Sequence, residues 1–321
     1  MKFKGLIVGL GQIGMGYDYD KSSSDFIFTH AKALYLHPEF ELAQGVDQAP
    51  ERREMFYKKY DKPVHESLEK ALQDCSPELA IVATSTREHF GVFQQLLESS
   101  SLRLVLCEKP LAGSLAEAET MLDLAKEQNV SVAVNYIRRY DSGFQILLKR
   151  IRSGELGFPL KVCVWYRKGI FNSGSHILNL LSPLLGEVRR VQIISRGRRW
   201  DGWDPEPDLR LDFERGETYF LAGREEDFSY SQVEIVGPRG KMLYDKDGGI
   251  SWWGMEQDPA FPGYSILQQT AEEIPTDMKR YQYNVLQNLS NFLSGHSELL
   301  CDSDSGLQTM RILNQIEEAL A

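Results

Sequence analysis

The stretch Phe3-Lys4-Gly5-Leu6-Ile7-Val8-Gly9-Leu10-Gly11-Gln12-Ile13-Gly14 constrains this chain more than any other. A short apolar run passing directly into GxGxxG reads as a strand that turns into a dinucleotide-binding loop. Gly9 permits the tight turn, Gly11 lets backbone N–H groups approach a pyrophosphate, and Gly14 lets helix and strand pack closely, with Gln12 and Ile13 completing the loop. The anion is expected at a helix N-terminus, where the peptide dipoles favour negative charge. Such a loop has meaning only within a parallel α/β sheet, and the following residues supply one. Apolar runs at 41–46, 79–83, 102–107 and 130–134 alternate with amphipathic stretches at 50–60, 67–73, 88–98 and 114–127. That alternation implies a parallel sheet covered on both faces.

A dinucleotide site also needs an acid at the end of the second strand. Asp47 stands there, able to accept a hydrogen bond from the adenosine ribose and to repel a 2′-phosphate, which favours NAD. The other reading of Asp47 is a plain strand-end turn residue, and the nearby Arg52 and Arg53 keep NADP open. Asp47 lies farther along than the usual spacing of about 20 residues. An extra segment, 15–29, accounts for this by intervening before the first helix resumes near His30. Within it, Asp18-Tyr19-Asp20-Lys21-Ser22 resembles the start of a calcium loop. Ser23 and Thr29 stand where such a loop requires glycine and glutamate, so no metal is expected, and the segment reads as a surface loop near the cofactor.

After about residue 136 the pattern changes. A helix at 143–152 and an extended stretch at 159–166 lead to a polar turn at 172–175 and an apolar helix from Ile177, with His176 in its first turn. Closely spaced strand-like runs follow at 188–194, 209–213, 217–221, 232–236, 241–244 and 250–253, which favours an antiparallel sheet, and helices at 278–293 and 306–320 end the chain. The expected organisation is a dinucleotide-binding Rossmann domain over residues 1–135 and a substrate-binding and oligomerisation α/β domain over 136–321.

Composition excludes several classes. The net charge of −10 argues against nucleic acid as a partner, since phosphate binding needs a basic face. No run of roughly 18 apolar residues is present to cross a bilayer, and the stretch Gly5–Leu10 is too short and glycine-rich for a signal peptide. The four cysteines lack zinc spacing and suit a reducing cytoplasm.

Two side chains carry candidate chemistry. Lys109, in Cys107-Glu108-Lys109-Pro110, ends a strand at the carboxyl edge of the sheet, where ligands of open α/β sheets bind. A lysine there is either solvated surface or an acid/base. His176 is either a satisfied helix-start histidine or a catalytic one.

In chain order stand the strand with GLGQIG, Ala83-Thr84-Ser85-Thr86 with His89, Glu108-Lys109-Pro110, Asn135-Tyr136 with Arg138 and Arg139, and Gly174-Ser175-His176. This series resembles the Gfo/Idh/MocA family of NAD(P)-dependent oxidoreductases over most of the chain. The resemblance implies an N-terminal doubly wound Rossmann sheet and a C-terminal α/β domain with an open, mostly antiparallel sheet. It also implies a homodimer or homotetramer, often built through that open sheet. Thr84, His89 and Glu108 join Gly9, Gly11, Gln12, Ile13, Gly14 and Asp47 in its dinucleotide site. Lys109 matches the lysine that contacts the nicotinamide ribose and the substrate hydroxyl, and His176 the acid/base at the reacting carbon. Many members carry aspartate where this chain has Asn172 and Asn179. An amide orients a substrate but does not accept a proton as a carboxylate does, so the acid/base work falls to Lys109 and His176. Asn172 also matches branches acting on sugar nucleotides, which directs the expectation toward a nucleotide-linked or acidic sugar.

Arg138, Arg139, Tyr166, Arg167 and Lys168 lie in segments expected near such a substrate. Arginine forks suit carboxylate or phosphate, and an ordinary charged surface is the other reading. Trp200, Trp203, Trp252 and Trp253 are read either as sugar-stacking rings or as core and oligomer contacts. The expected function is hydride transfer between NAD(P) and a secondary alcohol or ketone of a sugar-like substrate. The alternatives are a dinucleotide-binding regulatory protein without turnover, and redox-neutral C–O chemistry on a transiently oxidised sugar.

Overall fold

The computed structural model describes residues 2–321. They form two compact units, one running to Tyr140 and including Lys279–Met310, the other comprising Asp141–Met278 and Arg311–Ala321.

In the first unit six strands make a parallel sheet: β1 (Phe3–Val8), β2 (Phe40–Val46), β3 (Val64–His65), β4 (Leu79–Val82), β5 (Leu104–Cys107) and β6 (Ser131–Val134). Their order is β3-β2-β1-β4-β5-β6. The helices are α1 (His30–Leu36), α2 (Pro50–Tyr60), α3 (Leu68–Asp74), α4 (His89–Leu96) and α5 (Leu115–Glu127). Every residue of β4 and β5 is buried, as expected of strands covered on both faces, which is why they read as unbroken apolar runs. The order reverses between β1 and β4, and at such a switch point the carboxyl ends of the strands open a ligand crevice.

The glycine loop does not run into a long helix. Gln12–Gly16 forms a single π turn, and α1 begins only at His30, capped by the Thr29 side chain. Asp18 fastens the intervening loop. Its buried carboxylate accepts the Phe28 N–H at 2.7 Å, the Thr29 N–H at 3.2 Å and the Thr29 hydroxyl at 2.6 Å. The resemblance to a calcium loop therefore ends in a backbone clasp, and no cluster of metal-ligating side chains occurs among the described residues.

The second unit holds α6 (Ser142–Arg152), β7 (Leu160–Tyr166), α7 (Ser175–Leu185), β8 (Val188–Trp200), β9 (Asp204–Phe213), β10 (Gly216–Ala222), β11 (Gln232–Gly237), β12 (Gly240–Asp245), β13 (Ile250–Gln257), β14 (Ser265–Leu267) and β15 (Glu272–Ile274). The sheet order is β14-β13-β12-β11-β7-β10-β9-β8, with β15 on β13. All pairings are antiparallel except β10 with β7, so the sheet is mixed. In β7, Leu160, Val162, Val164 and Tyr166 are buried while Lys161 and Trp165 are exposed, the period-two pattern of a sheet with one covered face. The covered face joins α6 and α7 in one core with Leu147, Ile151, Leu178 and Leu181. Strand β8 runs well past its apolar stretch because Arg198 pairs with Glu206 across the ladder, a pairing that hydrophobic periodicity does not register.

The chain then returns to the first unit as α8 (Tyr281–Leu293), and the last helix, α9 (Ser303–Leu320), has residues in both units. The Ile27 N–H donates to Lys279 O at 3.0 Å, and the rings of Phe28 and Tyr281 stack at 5.3 Å, tying α8 to the loop ahead of α1. No helix among the described residues is long and apolar enough to cross a membrane.

Candidate active site

The switch point is built from three glycines with distinct constraints. Gly9 adopts φ +100°, and a Cβ there would lie 2.5 Å from Ala83 O. A Cβ on Gly14 would overlap Gly9 O. Gly11 instead faces open space, where a Cβ meets only the Arg52 guanidinium, at 3.6 Å. Gln12 is exposed, and half-buried Ile13 packs on the core. Asp47 Oδ2 accepts the Leu10 N–H at 2.8 Å, and Oδ1 accepts the Ala49 N–H at 2.8 Å. Arg52 pairs with the same carboxylate at 3.4 Å, while Arg53 bonds the carbonyls of Asp47 and Gln48. Thr84, just beyond β4, holds its hydroxyl oxygen buried with no partner among the described residues. An open glycine face, an acid at the end of β2 and an orphaned hydroxyl at the end of β4 fit a dinucleotide laid across the switch point. Only a five-residue π turn follows the glycines, so the N–H groups of the loop, rather than the N-terminus of a long helix, would meet the phosphates.

His89, in the first turn of α4, sits behind this edge. Its ring contacts Thr84 O at 3.3 Å on one side and Pro110 O at 3.1 Å on the other, and burial pushes its pKa below the usual histidine range. It ties the end of β4 to the segment after β5.

At the end of β5, Glu108 is buried and Lys109 half-buried, and the Lys109–Pro110 peptide is cis. Glu108 Oε1 receives the Asn135 amide at 2.6 Å and His30 Nε2 at 2.8 Å, and Oε2 receives the Lys109 N–H at 3.3 Å. Burial alone would favour the protonated acid. The His30 ring, the Asn135 amide and the Lys109 charge outweigh it and hold Glu108 below the usual carboxylate range. Arg138 lies in the 3₁₀ turn Ile137–Tyr140 after β6, and the neighbouring Arg139 is buried with a bond to Leu300 O at 2.8 Å.

In the second unit, Gly169–Gly174 forms a π turn leading into α7, and His176 is the second residue of that helix, half-buried between buried Ser175 and Ile177. Asp204, at the start of β9, holds the turn. Its carboxylate accepts the Phe171 N–H at 3.0 Å and the Asn172 N–H at 2.9 Å, and Glu206 accepts the Gly169 N–H at 3.2 Å. Gly169 has φ +81°, and a Cβ there would overlap Asp204. Burial pushes the Asp204 carboxyl up to about 6, against the pull of the backbone N–H groups. Tyr166 is buried, its hydroxyl donating to Pro207 O at 2.7 Å. Lys168, at φ 59°, pairs with Glu225 at 3.0 Å, and Arg167 is buried against Phe228 with bonds to the carbonyls of Arg224 and Phe228. Trp252 belongs to the core and carries the Arg150 guanidinium at 4.1 Å, whereas Trp203 is exposed.

The residues singled out in the sequence thus fall into two groups. Gly9, Gly11, Asp47, Thr84, His89, Glu108 and Lys109 gather at the carboxyl edge of the first sheet, and Tyr166, Lys168, Asn172 and His176 surround the π turn of the second unit. Sequence reasoning assigned no role to His30, Asn135, Asp204 or Glu206. A signal existed only for Glu108, since a buried acid requires donors.

Residues 3–136 match the family model GFO_IDH_MocA, described as an oxidoreductase family with an NAD-binding Rossmann fold. An uncharacterized oxidoreductase of Schizosaccharomyces pombe is 34% identical over 146 residues, 40% of this chain and 39% of that protein. Inositol 2-dehydrogenase of Salmonella typhimurium is 34% identical over 93 residues, 28% of this chain and 27% of that enzyme. The chain therefore spans well under half the length of these relatives. Among solved structures, the WlbA dehydrogenase of Bordetella pertussis, in complex with NADH and UDP-GlcNAcA, matches with a TM-score of 0.79 at 19% identity, covering 99% of this chain and 95% of that one. At that identity the likeness concerns the fold, and it extends to both units. Residues 3–136 are thus the NAD-binding Rossmann domain of the Gfo/Idh/MocA oxidoreductase family.

Proposed function

We propose that the protein transfers a hydride between NAD and a secondary alcohol or ketone of a sugar or sugar-nucleotide-like substrate. The observation that carries this reading is the switch-point cradle of Gly11, Asp47 and Thr84 beside Lys109 on its braced corner. A bound NAD would supply the hydride chemistry, uptake from a carbinol carbon and return to a ketone. Lys109 in the first unit and His176 in the second are the residues assigned to proton transfer, Lys109 at the substrate hydroxyl. A positioned acid/base of this kind contributes roughly 10²- to 10⁴-fold in rate. Asn172 orients the substrate by hydrogen bonds. Arg138 and Lys168 supply positive charge toward an acidic or phosphorylated sugar, Lys168 after exchange of its Glu225 partner. Tyr166 supports the turn from within the core. The relatives named inositol 2-dehydrogenase and the UDP-GlcNAcA complex support a polyol or sugar substrate.

The open face of the second sheet, with Trp165, Ile194 and Val236 exposed, is assigned to self-association in a homodimer or homotetramer. Light scattering on the purified protein tests that assignment. Four scattered cysteines suit a cytoplasmic setting.

The decisive experiment titrates the protein with NAD and NADP, then with inositols, sugar acids, sugar phosphates and nucleotide-linked sugars, watching absorbance of the reduced nicotinamide. Reduction by one member of the panel, lost in Lys109→Met while NAD still binds, supports the assignment. A Lys109→Met variant with full turnover overturns it, and NAD binding without turnover across the panel favours the regulatory reading.

A further inference from the structure

The segment between the glycine loop and α1 leaves and re-enters the fold at the ligand edge of the first sheet. It departs from the loop that follows β1, where the Tyr17 N–H still donates to Gln12 O at 2.9 Å. It returns at His30, whose ring touches Glu108, at the end of β5, at 2.8 Å. Both of its flanks are tied. Asp18 clasps Phe28 and Thr29, the Lys32 ammonium donates to Lys21 O and Ser23 O at 2.8 Å each, and the Lys59 ammonium of α2 donates to Tyr19 O. On the other side Ile27 bonds Lys279 O, and Phe28 stacks on Tyr281. A segment tied in this way is a prebuilt rim, and a ligand that touches it gains contacts without first ordering them.

The two tyrosines of this rim are used differently. The Tyr19 hydroxyl donates to Met55 O at 3.2 Å and its ring carries the Lys59 ammonium at 4.5 Å, so that side chain belongs to α2. Tyr17 is 57% exposed, although the next residue, Asp18, is buried. The backbone at Tyr17 is therefore fixed from both sides, by the bond to Gln12 and by the Asp18 clasp, while its ring stands in the open. A tyrosine ring on a fixed backbone loses little conformational entropy when a ligand covers it, and covering it removes apolar surface from water.

Sheet order decides which part of a dinucleotide lies nearest. On one side of β1 stands β2, with Asp47 at its end for the adenosine ribose. On the other stand β4 and then β5, toward which the nicotinamide end extends. Tyr17 belongs to the second direction, because Asp18 binds Thr29, the neighbour of His30, and His30 meets Glu108.

We propose that Tyr17 is a cofactor-contact residue: its ring, presented by the rim between the glycine loop and the end of β5, packs on the nicotinamide-ribose end of bound NAD and slows its release. The inference rests on NAD lying across the switch point. It is independent of the sugar substrate and of the acid/base assignment of Lys109.

The test is binding to the whole protein, freed of nucleotide and without substrate. NADH is titrated with its nicotinamide fluorescence as the signal, NAD and ADP are measured by displacing it, and NADH release is followed after mixing with excess NAD. In Tyr17→Ala, NADH and NAD are expected to bind about three- to tenfold more weakly, the range for one aromatic contact, and NADH to leave correspondingly faster. ADP, which lacks the nicotinamide and its ribose, is expected to bind as it does to the parent. The melting temperature is expected to stay at the parent value, because an exposed side chain carries little of the fold. Tyr17→Phe keeps the ring and is expected to match the parent. Unchanged NAD binding in Tyr17→Ala overturns the proposal. So does an equal fall for NAD and ADP, which would place the loss in the glycine loop, or a Tyr17→Phe variant as weak as Tyr17→Ala. A parent protein that binds no NAD removes the switch-point site itself, a failure distinct from that of Tyr17.

Discussion

Asp204 Oδ2 accepts the backbone N–H of Asn172 at 2.9 Å, so a strand-end carboxylate shapes the turn that precedes His176. Asp204→Asn leaves one carbonyl oxygen for N–H groups that now share a carboxylate, and an unmatched buried donor costs about 1–3 kcal/mol. The pH dependence follows from the raised carboxyl, near 6 in the folded chain and near 4 when unfolded. A raised value means that the native state takes up the proton first. The contribution of Asp204 is therefore full below the unfolded value and is lost as pH rises through about 6. In urea unfolding of wild type and Asp204→Asn between acid and neutral pH, the wild-type advantage is expected to shrink as pH rises. An advantage that grows with pH would contradict the burial argument.

The glycines of the loop separate folding from binding. Gly11→Ala is expected to keep the parent melting temperature, because its Cβ meets only Arg52, and to weaken NAD by about tenfold or more, equivalent to 1.4 kcal/mol. Gly9→Ala and Gly14→Ala place a Cβ against backbone and are expected to lower the melting temperature itself. Thermal melts beside fluorescence titrations with NAD check both statements.

Asp47 accepts two backbone N–H groups and pairs with Arg52. Asp47→Ser removes the charge that faces a 2′-phosphate and releases the guanidinium. The NAD to NADP affinity ratio is expected to move toward NADP by about 10- to 100-fold, the range for one or two charge-assisted bonds. Equal weakening of both cofactors would mean that Asp47 serves the loop alone.

Asp18→Ala unfastens the loop ahead of α1 by leaving two backbone N–H groups and the Thr29 hydroxyl without their acceptor. A loss of about 2 kcal/mol or more is expected from denaturant unfolding. Added calcium is not expected to restore stability, since the carboxylate serves the backbone.

The sequence by itself determined what depends on neighbours in the chain. The strand and glycine turn at Phe3–Gly14, the helix cap ahead of His30, the placement of His176 in the first turn of α7 and the Glu108-Lys109-Pro110 corner all follow from local backbone preferences and apolar periodicity. The split of the first helix was legible too, as the long interval between Gly14 and Asp47. Only the tertiary structure decided which distant groups meet. Nothing near His30 in sequence announces Glu108, and nothing in Trp203-Asp204 announces the Asn172 N–H, since a polar side chain finds its partner only after the strands have paired. The parallel pairing of β10 with β7 and the return of α8 to the first unit belong to the same class. Apolar patterning specifies which face of an element is buried and is silent on which element covers it. Buried carboxylates are matched to their donors one bond at a time, by the fold.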